Sequence, residues 1–151
     1  MAKRSAGILP YRTSSGGLQV LLVHPGGPFW QKRDLGAWSI AKGEYGDDEP
    51  PETAARREFA EETGWELKGA LLPLGELRQR AGKLITGFGV EGDFDTGTLR
   101  SNMFEMEWPP RSGRMQLFPE IDRAAWFGLQ VAREKMLVGQ RPFLDRLAAS
   151  V

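Results

Sequence analysis

Hydrophobic and polar positions along this chain follow two periods, one of strands and one of helices. Two β-like segments, residues 6–11 and 18–24, are joined by the turn-forming TSSGG and read as a hairpin. Alternating patterns at residues 71–80, 84–90, 103–108 and 124–127 predict further strands. Residues 50–63 are good helix formers, with Pro50 and Pro51 tolerated in the first turn and Gly64 placed as a C-cap. Helical periodicity returns at residues 130–136 and 142–149, which predicts one or two closing helices. Between the hairpin and the central helix, PGGPFWQKRDLGAWSIAKGE is rich in Gly and Pro with tryptophans inserted. It reads as a loop around a short strand near 37–40, and as a candidate binding rim. The pattern predicts an α/β protein with a mostly antiparallel or mixed sheet.

Composition narrows the class without naming a function. The chain has 151 residues, 40% hydrophobic and 26% charged, which suits one globular domain over residues 1–151 with a single core. Acidic and basic residues balance to a formal net charge of zero, so nothing demands a polyanionic partner or an obligatory nucleic acid. The absence of cysteine removes disulfides, zinc thiolates and thiol nucleophiles, and is compatible with a cytoplasmic location. Pro10 and Arg12 interrupt the early apolar run before a signal-peptide core forms, and the aliphatic run at residues 20–23 is far too short to span a bilayer. No membrane association is expected. There is no internal repeat or low-complexity tract, and oligomeric state is left open.

Balanced overall charge makes one local concentration informative. On a helix, Glu58, Glu61 and Glu62 stand at i, i+3 and i+4 and project from one face. The Glu58–Glu62 pair is like-charged, and in the helical pattern only Glu61 has a cation within reach, Arg57. A solvated charged face is the ordinary explanation for such a cluster. Two features favour another: cations are not interspersed, and the small residues Ala54 and Ala55 flank the cluster. A hard divalent cation, Mg2+ or Mn2+, relieves the repulsion directly while keeping waters for a phosphate substrate.

These residues carry a family resemblance. The stretch GEYGDDEPPETAARREFAEETGW fits the Nudix signature, G-x5-E-x7-R-E-U-x-E-E-x-G-U with U bulky and apolar. Gly43, Glu49, Arg57, Glu58, Phe59, Glu61, Glu62, Gly64 and Trp65 fill its positions. At roughly 7% usage per residue type, a chance match of the fixed positions in one window is on the order of one in a hundred million. Phe59 and Trp65 are larger than the aliphatic residues common at the U positions. The resemblance, MutT-like in its motif, implies an α/β/α sandwich with a mixed sheet. It also implies hydrolysis of a phosphoanhydride in a nucleoside diphosphate linked to another group. It gives Glu61 and Glu62 as metal ligands, Glu58 as a further ligand or the base that activates water, and Arg57 as an orienter of the glutamates. The backbone carbonyl at Gly43 or Lys42 would complete the metal shell, with Glu49, at the loop end nearest the helix, supporting the ligands from behind or making a weaker contact itself. Anhydride cleavage needs neutralised phosphoryl oxygens and a positioned water, and metals on carboxylates supply both.

Other candidates lie outside the motif. Family members often add an acidic residue ahead of a tryptophan-containing strand, and FPEIDRAAWF offers Glu120, with Glu105 and Glu107 of FEMEWPP as rivals. A surface-loop glutamate is the alternative for Glu120. His24, the only histidine, reads as structural first and as a phosphate contact near the rim second. Trp30 and Trp38 could stack on a base, with burial the competing explanation for at least one. Lys42 before Gly43 resembles the K-G element of Nudix enzymes acting on diadenosine polyphosphates, where the lysine would meet phosphate. Ala41 stands where those enzymes usually have Pro, which leaves the subfamily open. GELRQRAGKL has the wrong glycine spacing for a P-loop, and EYGDDE lacks the ligand order of an EF-hand. Two functions follow. The first is a metal-dependent pyrophosphohydrolase for a small nucleotide or polyphosphate, most simply a dinucleoside polyphosphate or nucleoside triphosphate. The alternative is a nucleotide-binding regulatory module on the same fold.

Overall fold

The computed structural model describes residues 3–151. The opening apolar segments pair as β1 (Arg4–Ser14) and β2 (Gly17–Pro25), an antiparallel hairpin with Tyr11 opposite Val20. Their side chains alternate between two cores. Ile8, Leu21 and Val23 bury into one, while Leu9, Val20 and Leu22 bury into the other. Burial on both faces explains why these strands read as apolar runs rather than as clean alternation.

Around this hairpin the sheet is completed by β3 (Ala41–Glu44), β4 (Leu72–Arg78), β5 (Leu84–Glu91) and β8 (Ile121–Gly128). The order is β4-β5-β1-β2-β8, with β3 also paired to β1. β5 runs parallel to β1 and the other pairings are antiparallel, so the sheet is mixed as expected. The short strand predicted near 37–40 lies slightly later. Ser39 makes only an isolated bridge to Val23, and Trp38 one to Met136, before β3 begins at Ala41.

One face of the sheet is covered by α1 (Pro51–Thr63), where Ala54, Ala55 and Phe59 pack against Ala6, Ile8 and Val23. Full burial of Phe59 contributes roughly 1.5–3 kcal/mol. The helix ends at Gly64, whose left-handed φ of 78° a Cβ would strain, and whose N–H donates to the Ala60 carbonyl. The other face is covered by α2 (Leu129–Lys135) and α3 (Pro142–Ser150) through Ala132, Phe143, Leu144 and Leu147. No helix among the described residues is long and apolar enough to cross a membrane.

One pairing was not anticipated. β6 (Met103–Glu107) does not join the main sheet but pairs with β7 (Met115–Pro119) in a separate two-stranded sheet. β7 carries no apolar–polar alternation that would predict it, because Met115, Gln116 and Leu117 are all exposed.

Candidate active site

Three parts of the chain meet at one cleft of about 480 Å³. β3 supplies Lys42, Gly43 and Glu44, α1 supplies Glu58 and Glu62, and the segments flanking the small sheet supply Asn102 and Glu120. α1 lies so close to β3 that a Cβ on Gly43 would stand 2.0 Å from the Glu58 carboxyl carbon. Only a glycine leaves the carboxylate room to face the strand. Asn102 ties the other side together: its N–H donates to the Glu61 carbonyl and its carbonyl accepts from the Glu120 N–H, both at 2.9 Å. Nothing in the sequence marked Asn102, because its role is carried by backbone atoms that any residue possesses.

The glutamates differ in environment. Glu62 Oε2 is buried with no hydrogen-bond partner. Burial pushes the Glu62 pKa up to about 8 from an ordinary 4.5, with the Glu58 and Glu120 charges adding and the Lys42 charge and backbone opposing. Glu58 is also raised, first by burial, although the hydrogen bond from Arg57 pulls it down. Glu61 is half-exposed and turns to Arg57, whose Nη1 donates to its Oε1 at 3.2 Å.

Arg57 is the hub of the motif. Its Nε and Nη2 donate to Glu49 in a two-pronged pair at 2.9 Å each, and its Nη1 donates to Glu58 at 2.9 Å. One expectation is corrected by this. Glu58 does have a counter-cation, its chain neighbour, because the guanidinium curls back toward it rather than following the helical i+4 row. Glu49 reaches the glutamate cluster through Arg57, whose hydrogen bonds hold its carboxylate and lower its pKa. The hydrogen bonds that Arg57 donates to Glu49 first, then to Glu58 and Glu61, raise the Arg57 pKa and keep the guanidinium charged.

The remaining candidates separate cleanly. Glu120 lines the cleft; Glu105 and Glu107 do not, and Glu107 instead accepts from the Arg111 N–H at 3.0 Å. Lys42 pairs with Gly7 on β1, and its Cβ leaves the strand on the side opposite Gly43. Its contribution to Glu62 therefore comes through the main chain and a through-space charge, not through a direct ion pair. His24 is not brought to the cleft. It is fully buried, its Nε2 donates to the Arg33 carbonyl at 2.6 Å and its Nδ1 meets Asp122 at 2.8 Å, which leaves no nitrogen for phosphate. Trp38 is buried against it edge-on, whereas Trp30 is 37% exposed and lines a pocket beside the cleft.

Among the described residues, no three His, Asp or Glu side chains already converge in a metal-holding geometry. Arg57 draws Glu58 and Glu61 toward itself. The donor set nonetheless fits a hard cation: a buried, partnerless carboxylate oxygen, a second half-buried carboxylate, a glycine that clears the approach, and oxygen ligands throughout.

The model of the NUDIX domain matches residues 1–147. The chain belongs to the Nudix family. The family model and the MutT and Ap4A hydrolase neighbours support a Nudix pyrophosphohydrolase. Solved Nudix structures share the fold at low identity. The NUDIX domain of Shewanella oneidensis NrtR, complexed with ADP ribose, has a TM-score of 0.68 at 14% identity over 99% of this chain and 88% of that one. A C. elegans Ap4A hydrolase binary complex has a TM-score of 0.64 at 20% identity over 97% and 96%. The MutT protein from Methanosarcina mazei Go1 has 0.60 at 18% over 99% and 94%. The search of curated proteins returned no match.

Proposed function

We propose that this Nudix chain hydrolyses a phosphoanhydride in a nucleoside diphosphate linked to another moiety, with Mg2+ or Mn2+ as its cofactor. A dinucleoside polyphosphate or a nucleoside triphosphate is the leading substrate. The observation that carries the proposal is Glu62 Oε2, buried and unpartnered in a cleft also lined by Glu58 and Glu120. An isolated carboxylate in that position is costly, and a cation or a proton must answer it.

Glu58 and Glu62 would hold the cation, with Glu61, Glu120 and the main chain at Gly43 as further donors. When bound, the cation supplies neutralisation of phosphoryl oxygens and a more acidic water. Arg57 fixes the Glu58 and Glu61 carboxylates, so their orientation is set before substrate arrives. Glu58, held on one oxygen by Arg57, serves as ligand or as acceptor of the proton of the attacking water. The Lys42 charge lowers the electrostatic cost of crowding carboxylates and phosphates in one cleft.

The test is a substrate panel covering dinucleoside polyphosphates, nucleoside triphosphates, ADP-ribose, dinucleotide cofactors and capped RNA ends. Release of phosphate or mononucleotide is measured with Mg2+ and with excess chelator. Metal-dependent release from at least one substrate is expected. Binding of nucleotides without any turnover would instead make the chain a regulatory module.

A further inference from the structure

Between the end of β4 and the link from α2 to α3 opens a hollow of about 660 Å³, larger than the carboxylate cleft and sharing no lining residue with it. Arg78, Gln79 and Arg80 line it from the β4 side, Leu137, Val138 and Gly139 from the other, and Gly36 from the loop after β2. No Asp or Glu lines it. In a chain whose charges sum to zero, two guanidinium groups on one hollow with no lining carboxylate make a local positive potential. Among the described residues the salt-bridged arginines are others: Arg4, Arg12, Arg56, Arg57, Arg123 and Arg133. Val138 adds open apolar surface, being 67% exposed.

The two sides are braced against each other. Gln79 Nε2 donates to the Gly139 carbonyl at 3.0 Å, tying the arginine segment to the opposite wall. Behind Gln79 the chain reverses tightly: the Gln79 N–H donates to the Lys83 carbonyl at 2.6 Å, and the Gly82 N–H to the Gln79 carbonyl at 3.1 Å. Ala81 takes a left-handed φ of 67° in that turn, a conformation that disfavours any residue with a Cβ. On the other wall the Leu137 N–H donates to the Trp38 carbonyl at 2.8 Å, and the buried Gln140 side chain accepts from the Ile40 N–H at 3.0 Å. Arg78 and Arg80 therefore stand on a fixed frame, two residues apart across the extended backbone of Gln79.

We propose that this hollow binds a small organic phosphate, with the phosphate on Arg78 and Arg80 and the carbon-rich part of the ligand on Leu137 and Val138. A guanidinium is a planar fork that meets two phosphate oxygens at once, and two such forks without carboxylate partners are a seat for an anion. The volume is that of a small-molecule site, and inorganic phosphate alone would leave most of it, including the apolar wall, unused. Nucleotides and sugar phosphates share the required chemistry. The segment belongs to GELRQRAGKL, whose glycine spacing is wrong for a P-loop, so guanidinium groups and not a backbone cradle would meet the phosphate. The site is separate from the hydrolase function, since it uses none of Lys42, Gly43, Glu58, Glu62 or Glu120.

Calorimetry in excess chelator tests it, because without metal the carboxylates of the catalytic cleft repel phosphate. The probes are AMP, ribose 5-phosphate, inorganic phosphate and adenosine. At least one of AMP and ribose 5-phosphate is expected to bind the wild type at one per chain, about tenfold or more tighter than inorganic phosphate and adenosine. A preference for AMP identifies the source as a nucleotide, and equal binding of the two identifies the sugar phosphate as sufficient; either upholds the site. Combining Arg78→Gln with Arg80→Gln should weaken that ligand about tenfold or more. Val138→Ser should weaken it while leaving inorganic phosphate unchanged, and Lys42→Ala, in the catalytic cleft, should change nothing. Arg78, Arg80 and Val138 are exposed, so these variants keep the fold. Unchanged affinity in the double arginine variant would overturn the proposal, as would inorganic phosphate or adenosine binding as tightly as both organic phosphates. Loss of binding in Lys42→Ala would place the ligand in the catalytic cleft and overturn it too. Because no turnover is read, a chain that hydrolyses nothing can still uphold this site.

Discussion

Gly43 and Glu58 are fitted to each other: the strand residue has no side chain because the helix carboxylate occupies the space where a Cβ would be, 2.0 Å from the carboxyl carbon. Gly43→Ala must therefore displace Glu58. The backbone at residue 43 is not in the left-handed region, and the Glu58 carboxylate is the far end of a flexible side chain, so the fold itself tolerates the change. Turnover should fall by about a hundredfold or more, while the melting temperature moves by only a few degrees. Normal turnover in this variant would show that Glu58 works equally well from a displaced position.

Glu62 sets a pH dependence whose sign follows from its raised pKa. Between an ordinary 4.5 and about 8 the folded protein binds a proton at Glu62 that the unfolded chain releases. Metal-free stability therefore falls as pH rises through that window, by at most about 1.4 kcal/mol per pH unit. Glu62→Gln removes this slope. At pH 9 the metal-free variant should be more stable than the wild type, and at pH 4 the two should coincide. Chemical denaturation across pH in chelator checks this; parallel profiles would place Glu62 in water.

Because a cation and a proton compete for Glu62, Mg2+ should raise the wild-type melting temperature more at pH 8.5 than at pH 6. Glu62→Gln should show a smaller rise at both. Turnover of the best substrate should vanish in excess chelator and be lower with Ca2+ than with Mg2+, since calcium coordination is longer and looser. Equal Mg2+ shifts in wild type and variant, or full turnover in chelator, would remove Glu62 from the metal seat.

Arg57→Lys keeps the charge but not the fork that grips Glu49, Glu58 and Glu61 together. The expected result is a fall in kcat of about ten- to a hundredfold with a smaller change in KM. Stability should drop by about 1 kcal/mol or less, because these pairs are partly exposed and screened. A loss confined to KM would instead put the guanidinium on the substrate.

His24→Ala tests a structural residue. It leaves Asp122 and the Arg33 carbonyl without their partner and opens a cavity beside Trp38. The cost should be about 2–4 kcal/mol, a fall in melting temperature of roughly 5–15 °C. Well below that temperature, turnover should stay within a few-fold of wild type. Lost turnover with unchanged stability would return His24 to the site.

What the sequence determined by itself is local and periodic. The helix at residues 51–63, its Gly64 cap and the common face of Glu58, Glu61 and Glu62 follow from 3.6 residues per turn, which needs no distant partner. The Nudix signature was legible for the same reason, since its fixed positions lie in one continuous stretch. The two strands of the opening hairpin were legible because their burial on both faces writes itself as apolar runs.

Tertiary structure decided whatever depends on segments far apart meeting. Glu105, Glu107 and Glu120 are alike in sequence, and only the return of β7 into β8 brings Glu120, and not the others, to α1. The same return created the separate hairpin and the pocket beside the cleft, through the meeting of Gly27 with Phe104, which no local pattern encodes. Arg57 could be paired with Glu61 from helix spacing, but its grip on Glu49 across the loop and on Glu58 beside it depends on where the guanidinium comes to rest. His24 could be read as rim or as core until β8 supplied Asp122 and the loop supplied the Arg33 carbonyl. Backbone periodicity fixes which side chains share a face; which faces meet depends on strand register and loop closure over the whole chain.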